Sequence, residues 1–269
     1  MSQIALWDGA DAVPLKPFWR YFGGKWRSSL LYPQPKHGTI IEPFAGSAGY
    51  SLRYPDLNVI LVERYDVIAE IWRWLIKAPA AEIRRIPQVE DVDDLPAWVP
   101  QGARWLVGFC MNSANATPCK TPSRGLMGLA AKAKASIYLW ENMRERVASQ
   151  VERIRHWVVI EDDYSLASRF GAATYYVDPP YSGDAGRHYK EGPKGSDEDL
   201  RAWYSALGQW CRDLPGQVIV CENAGATWLP FRSFGQFRKG FGQKFQERPG
   251  SREVIWLNEW DESAKEIAT

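Results

Sequence analysis

The sequence predicts an α/β fold, an open and mostly parallel sheet wrapped by helices and interrupted by a mainly helical insertion. Three observations predict it. Short apolar runs rich in valine and isoleucine alternate with helical patterns, at residues 39–41, 58–62, 157–160 and 217–221. A run of small residues, Ala45-Gly46-Ser47-Ala48-Gly49, follows the first of these strands, and Glu63 ends the second. In doubly wound folds a glycine loop stands there to let backbone approach a nucleotide, and an acid about 20 residues on bonds ribose hydroxyls. Finally, Tyr175-Tyr176-Val177 runs straight into Asp178-Pro179-Pro180-Tyr181. Proline lacks an amide N–H and fixes φ, so that strand must stop there. It presents a carboxylate and a phenol at a strand's carboxyl end, where open α/β sheets bind ligands.

The chain has 269 residues, enough for one large domain with an insertion. Its net charge is +1, so any surface for nucleic acid must be local. Cys110, Cys119, Cys211 and Cys221 show no C-x-x-C spacing, and His37, His156 and His188 do not cluster with them. Neither a metal site nor a disulfide framework is expected. No basic leader and no apolar run long enough to span a membrane is visible, so the expected compartment is the cytoplasm. The oligomeric state is not legible.

In chain order, residues 1–17 read as a loose arm. Gly23-Gly24-Lys25 follows, a pair of glycines that lets backbone pass close to a ligand, with a cation beside it. Residues 28–32 read as a short helix, and a helix is expected from about Tyr50 after the glycine loop. Residues 66–77 carry Val67, Ile68, Ile71, Trp72 and Leu75 on one helical face, with Asp66 as N-cap and Pro79 as stop. Residues 79–150 break the alternation and read as an inserted helical subdomain, leaving 1–78 and 151–269 as the main domain. A helix is expected over 103–111 and a long one over 130–155. Between them lies a polar loop with Asn112, Asn115, Lys120, Ser123 and Arg124. Such side chains contact base edges and phosphates; an ordinary solvated loop has the same composition. Residues 182–196 are glycine-rich and long enough for a lid. Ser196 and Asp199 form a capping-box pattern for the next helix, and residues 253–257 read as the last strand.

The strand exit at Asp178 suits one kind of chemistry. An exocyclic amine on a heteroaromatic ring is a poor nucleophile, because its lone pair is delocalised. If a carboxylate and a neighbouring backbone carbonyl each accept one N–H, the nitrogen is held towards tetrahedral geometry. Its lone pair can then meet an electrophilic methyl group. Asp178 and the Pro179 carbonyl are the candidate acceptors, with Pro180 stiffening the loop and Tyr181 available to stack on a base.

Taken together, the motifs resemble the Dam-like (D12 class) adenine-N6 DNA methyltransferases. Tyr21-Phe22-Gly23-Gly24-Lys25 is similar to that family's N-terminal cofactor motif. Glu42-Pro43-Phe44-Ala45-Gly46 is similar to its Glu-Pro-Phe-x-Gly loop, and Glu63 stands in the position of its ribose-binding acid. Asp163-Tyr164 resembles its Asp-Phe pair against the cofactor's adenine, and Asp178–Tyr181 resembles its catalytic motif. Residues 251–258 are similar to its last strand. The resemblance implies a Rossmann-like class I methyltransferase sheet, with target recognition in residues 79–150. It implies S-adenosylmethionine as cofactor, held by Tyr21, Gly23, Gly24, Lys25, Pro43, Phe44, Ala45, Gly46, Glu63, Asp163, Tyr164 and Asp178. It implies double-stranded DNA as partner, with adenine flipped out of the helix for methylation. The Tyr-Asn-x-x-Gly-x-Phe-Asn pattern of GATC-specific relatives is replaced by residues 109–115, so no GATC target is implied. Two alternatives stay open: an amine methyltransferase for RNA or protein glutamine, and a silent DNA-binding relative.

Overall fold

The computed structural model of the chain describes residues 13–111, 115–122, 140–183, 186, 188–233 and 253–260. Seven strands build one sheet: β1 (Thr39–Glu42), β2 (Asn58–Glu63), β3 (Val158–Glu161), β4 (Ala173–Val177), β5 (Gly216–Asn223), β6 (Arg232–Ser233) and β7 (Glu253–Leu257). Their order is β3-β2-β1-β4-β5-β7-β6. The first five are parallel, and β7 runs antiparallel between β5 and β6. The order reverses between β1 and β4, so the carboxyl ends of those two strands flank the crevice. This is the Rossmann-like sheet that the sequence predicts.

The strands are apolar on both sides because both faces of the sheet are covered. On one face, Ile40, Leu61, Tyr176 and Ile219 pack with helix α1 (Asp66–Lys77) and with helices of the insertion. On the other, Ile41, Val62, Tyr175, Val177 and Val218 pack against Leu207 and Cys211 of a later helix. That neighbouring strand residues fall into opposite clusters is the two-residue period of a strand. All five residues of β4 are buried, which places Asp178 at the end of a rigid central strand.

The insertion contributes α2 (Ala80–Arg85), α3 (Gln101–Cys110) and α4 (Trp140–Ala148). Leu106, Val107 and Phe109 of α3 and Trp140, Met143 and Val147 of α4 join the same buried cluster as α1. The described part of 79–150 is therefore an insertion in topology that shares its core with the sheet. Helix α5 (Asp197–Asp213) opens with the expected capping box between Ser196 and Asp199. Among the described residues no helix is long and apolar enough to cross a membrane.

Several local expectations are corrected. Residues 13–17 are not loose, because Leu15 is buried and its N–H donates to the Leu52 carbonyl at 2.8 Å. Only a 3-10 turn, Ser51–Arg53, follows the glycine loop, since Pro55 closes off any longer helix. The helix expected to reach residue 155 ends at Ala148 and is followed by a 3-10 turn over Val151–Ile154. Asp66 is the first helical residue of α1; the N-cap is Tyr65, whose carbonyl accepts from Ile68 N–H at 2.9 Å. An acid at that position still complements the helix dipole.

Candidate active site at the strand switch point

Two tight loops meet over the ends of β1 and β2. Gly46 adopts φ +44°, and a Cβ there would lie 3.2 Å from the Tyr21 ring. Its N–H donates to Glu63 Oε2 at 2.8 Å, and its carbonyl accepts from Trp72 Nε1 at 2.8 Å. The loop is thus clamped between the acid of β2 and the indole of α1. Burial pushes the Glu63 carboxyl up, opposed by backbone N–H bonds from Tyr65, Gly46 and Arg64. On the other side, Gly23 takes φ +71° where the Tyr189 hydroxyl approaches it. Tyr189 comes from the glycine-rich segment after β4, so that segment does lie over the Gly-Gly-Lys turn.

The space between these loops is a cleft of about 930 Å³, part of it open to solvent. Its walls bring together Tyr21, Gly23, Gly24 and Lys25 from the first turn and Pro43, Phe44, Ala45 and Gly46 from the loop after β1. Glu63, Asp163, Tyr164 and Asp178 complete them. Every residue that the resemblance assigns to the cofactor lines this one cleft. The Phe44 and Tyr164 rings stack with centroids 5.1 Å apart, and Asp163 caps the 3-10 turn that begins at Tyr164.

Of the catalytic candidates, Asp178 and Pro180 line this cleft. Lys25 reaches across the cleft, with Nζ 3.0 Å from Asp178 Oδ1 and 3.6 Å from Glu253 Oε1. Nζ also donates to the Gly23 carbonyl at 2.6 Å. Burial works to lower the Lys25 pKa, but Asp178 and Glu253 outweigh it and hold the ammonium above its ordinary range. Asp178 is pushed up to about 6, by burial first, with Lys25 opposing and Glu253 adding to the rise. Asp178 Oδ1 is buried, and the Lys25 ammonium at 3.0 Å is its charged partner. Tyr181 lies under the Lys25 ammonium, 4.5 Å from ring centroid to Nζ, and its hydroxyl donates to Glu253 Oε1 at 2.8 Å.

The Pro-Pro loop itself is held from two sides. The Pro180 carbonyl accepts from the Tyr204 hydroxyl at 2.9 Å. The Ser182 N–H donates to Glu222 Oε2 at 3.0 Å, and Glu222 also accepts from Asn223 N–H and Trp228 Nε1. Pro180 lines the cleft, while Pro179, which is buried, and Tyr181 are not among its walls.

Sequence reasoning missed Glu253, Glu222 and Tyr189. Glu253 opens an apolar strand and Glu222 closes one; a charged residue in a run otherwise buried was the available signal. Of the residues expected to contact DNA, Asn115 lies beside the first turn, where its carbonyl accepts the Phe22 N–H at 3.2 Å. Lys120 is exposed and pairs with Asp93 at 2.6 Å. Asn112, Ser123 and Arg124 lie outside the described residues.

No family model matches the chain. No curated protein matches it either. Solved structures that resemble it include the Escherichia coli protein yhhF, described as a candidate methyltransferase, at 10% identity, TM-score 0.30, covering 81% of this chain and 73% of that one. A conserved hypothetical protein of Streptococcus pyogenes aligns at 12% identity and TM-score 0.31, covering 82% of this chain and 85% of that one. The assignment of the fold rests on the strand order and direction given above.

Proposed function

We propose that the protein is an S-adenosylmethionine-dependent methyltransferase acting on the N6 amine of an adenine extruded from double-stranded DNA. The observation that carries this reading is Asp178, a largely buried carboxylate at the switch point that lines the same cleft as every residue assigned to the cofactor. A substrate amine would add its N–H to a carboxylate whose charge the Lys25 ammonium already balances at 3.0 Å.

The cleft's donor set fits the cofactor. In this reading Glu63, at the end of β2, bonds the ribose hydroxyls, Phe44 and Tyr164 give an aromatic wall for the adenine ring, and the two glycine-containing turns allow close backbone approach. When bound, S-adenosylmethionine supplies the electrophilic methyl group. Asp178 and the Pro179 carbonyl then each accept one N–H of the target amine and orient its lone pair. The Asp178 carboxylate also offsets the positive charge that develops on nitrogen. Tyr181 stacks on the extruded base through the ring face opposite Lys25. Extrusion is required because the amine is occupied in a base pair, and it costs on the order of a few kcal/mol. The loop at 115–122 docks beside the Gly-Gly-Lys turn, which favours residues 79–150 as the surface that reads DNA.

The test offers labelled S-adenosylmethionine with duplex DNA, RNA and a peptide carrying glutamine. Label in N6-methyladenine of DNA alone is the expected result. Label in RNA or peptide instead would move the substrate while keeping the chemistry. Cofactor binding with no transfer to any of the three would leave a silent relative.

A further inference from the structure

Asp178 is not alone with its counter-ion. A second carboxylate, Glu253, arrives from β7, the antiparallel strand two places away across β5. Its Oε1 accepts the Tyr181 hydroxyl at 2.8 Å and stands 3.6 Å from the Lys25 ammonium. One buried cation therefore serves two carboxylates, with side-chain exposures of 7% for Lys25 against 18% and 19% for Asp178 and Glu253. The phenol of the same Pro-Pro-Tyr motif is fixed by the second of them.

We propose that Glu253 is a positioning residue for the Asp178 motif: it anchors the Tyr181 hydroxyl and, by drawing on Lys25, sets how strongly that cation holds Asp178. The proposal rests on the methyltransferase reading. In water-poor surroundings two like charges near one cation interact strongly, so removing one changes the other's proton affinity. The titratable groups around Asp178 are Lys25 from the first turn, Glu253 from β7, Tyr181 from its own loop, Glu42 from the end of β1, Tyr176 of β4, Cys221 of β5, and Tyr32 and Tyr189. Lys25 itself faces Asp178, Glu253, Tyr189 and Cys221. Among these, Glu253 is the carboxylate that touches both Lys25 and Tyr181. With its charge present Asp178 sits higher than Lys25 alone would leave it, in line with the direction found for that carboxyl.

Glu253→Gln separates charge from contact. The glutamine carbonyl can still accept the Tyr181 hydroxyl, but the negative charge is gone. The Asp178 carboxyl is followed by carbon-13 NMR titration of the full chain, its resonance identified by its loss in Asp178→Asn, and the pH profile of methyl transfer is recorded in parallel. In Glu253→Gln the Asp178 midpoint is expected to fall by about half a unit or more, and the acid limb of the rate profile to move down with it. An unchanged midpoint with an unchanged acid limb overturns the proposal. If Glu253→Gln does not fold, Glu253→Met takes its place: the midpoint must fall there too, and a midpoint that stays put overturns the proposal. If the wild type methylates nothing, the functional reading fails, while the titration still decides whether Glu253 controls Asp178.

Discussion

The Lys25 ammonium lies 3.0 Å from the Asp178 carboxylate, joining two segments more than half the chain apart in sequence. The first belongs to a turn outside the sheet; the second follows the central strand of the sheet. Their meeting makes one cleft of what read in the sequence as two separate motifs.

Asp178→Ala should lower methyl transfer by about a hundredfold to a thousandfold, because the amine loses the acceptor that orients it. Glu253 remains to pair with Lys25, so the cation is not stranded and the variant should fold. Calorimetry should find cofactor binding little changed. Wild-type turnover in this variant would remove Asp178 from the mechanism.

The rate should fall on acidification through about pH 6. Asp178 is raised to about 6, with burial the largest cause, and only its ionised form can accept the amine N–H and offset the developing charge. Below that pH the carboxyl is protonated, and kcat/KM should drop about tenfold per unit. A profile flat down to pH 5 would show that Asp178 ionisation does not govern the reaction.

Much of this site is legible in the sequence because its parts are short and stiff. The Asp-Pro-Pro-Tyr exit and the small residues after β1 announce their own backbone geometry, and Asp178 and Pro180 of the one and Ala45, Gly46, Ser47 and Gly49 of the other line the cleft, whereas Pro179, Tyr181 and Ala48 are not among its walls. The helix expected after the glycine loop is cut to a 3-10 turn by Pro55, a stop signal that the sequence carries but that reading the small residues as a helix start passes over. A charge heading an apolar strand marked Glu253, but where that charge would point was not legible. It depends on β7 inserting antiparallel next to β5, a long-range pairing that no local pattern encodes.

Gly23→Ala should weaken cofactor binding. The left-handed φ of +71° costs a Cβ-bearing residue about 1–2 kcal/mol. The new methyl would also meet the Tyr189 hydroxyl, displacing the segment that covers the turn. Isothermal titration should show a dissociation constant raised about tenfold; an unchanged value would mean that this turn is not a wall of the cofactor site.

Glu42→Gln should flatten the pH dependence of stability. Burial pushes the Glu42 carboxyl up to about 8, opposed by its hydrogen bonds from Ser51, with Asp178 adding to the rise. The folded state thus binds a proton that the unfolded state releases near pH 4.5. Stability is full below that pH and declines as pH rises towards about 8. Thermal melts of the wild type should lose Tm across this window, and Glu42→Gln should lose less. Parallel curves would place the titration elsewhere.

Methyl transfer from labelled S-adenosylmethionine to unmethylated genomic DNA, with modified positions read by single-molecule sequencing, tests the central claim most directly. N6-methyladenine confined to one short sequence context is the predicted result, and it would identify the recognition site at the same time. Cofactor bound but no adenine methylated anywhere in the genome would contradict it.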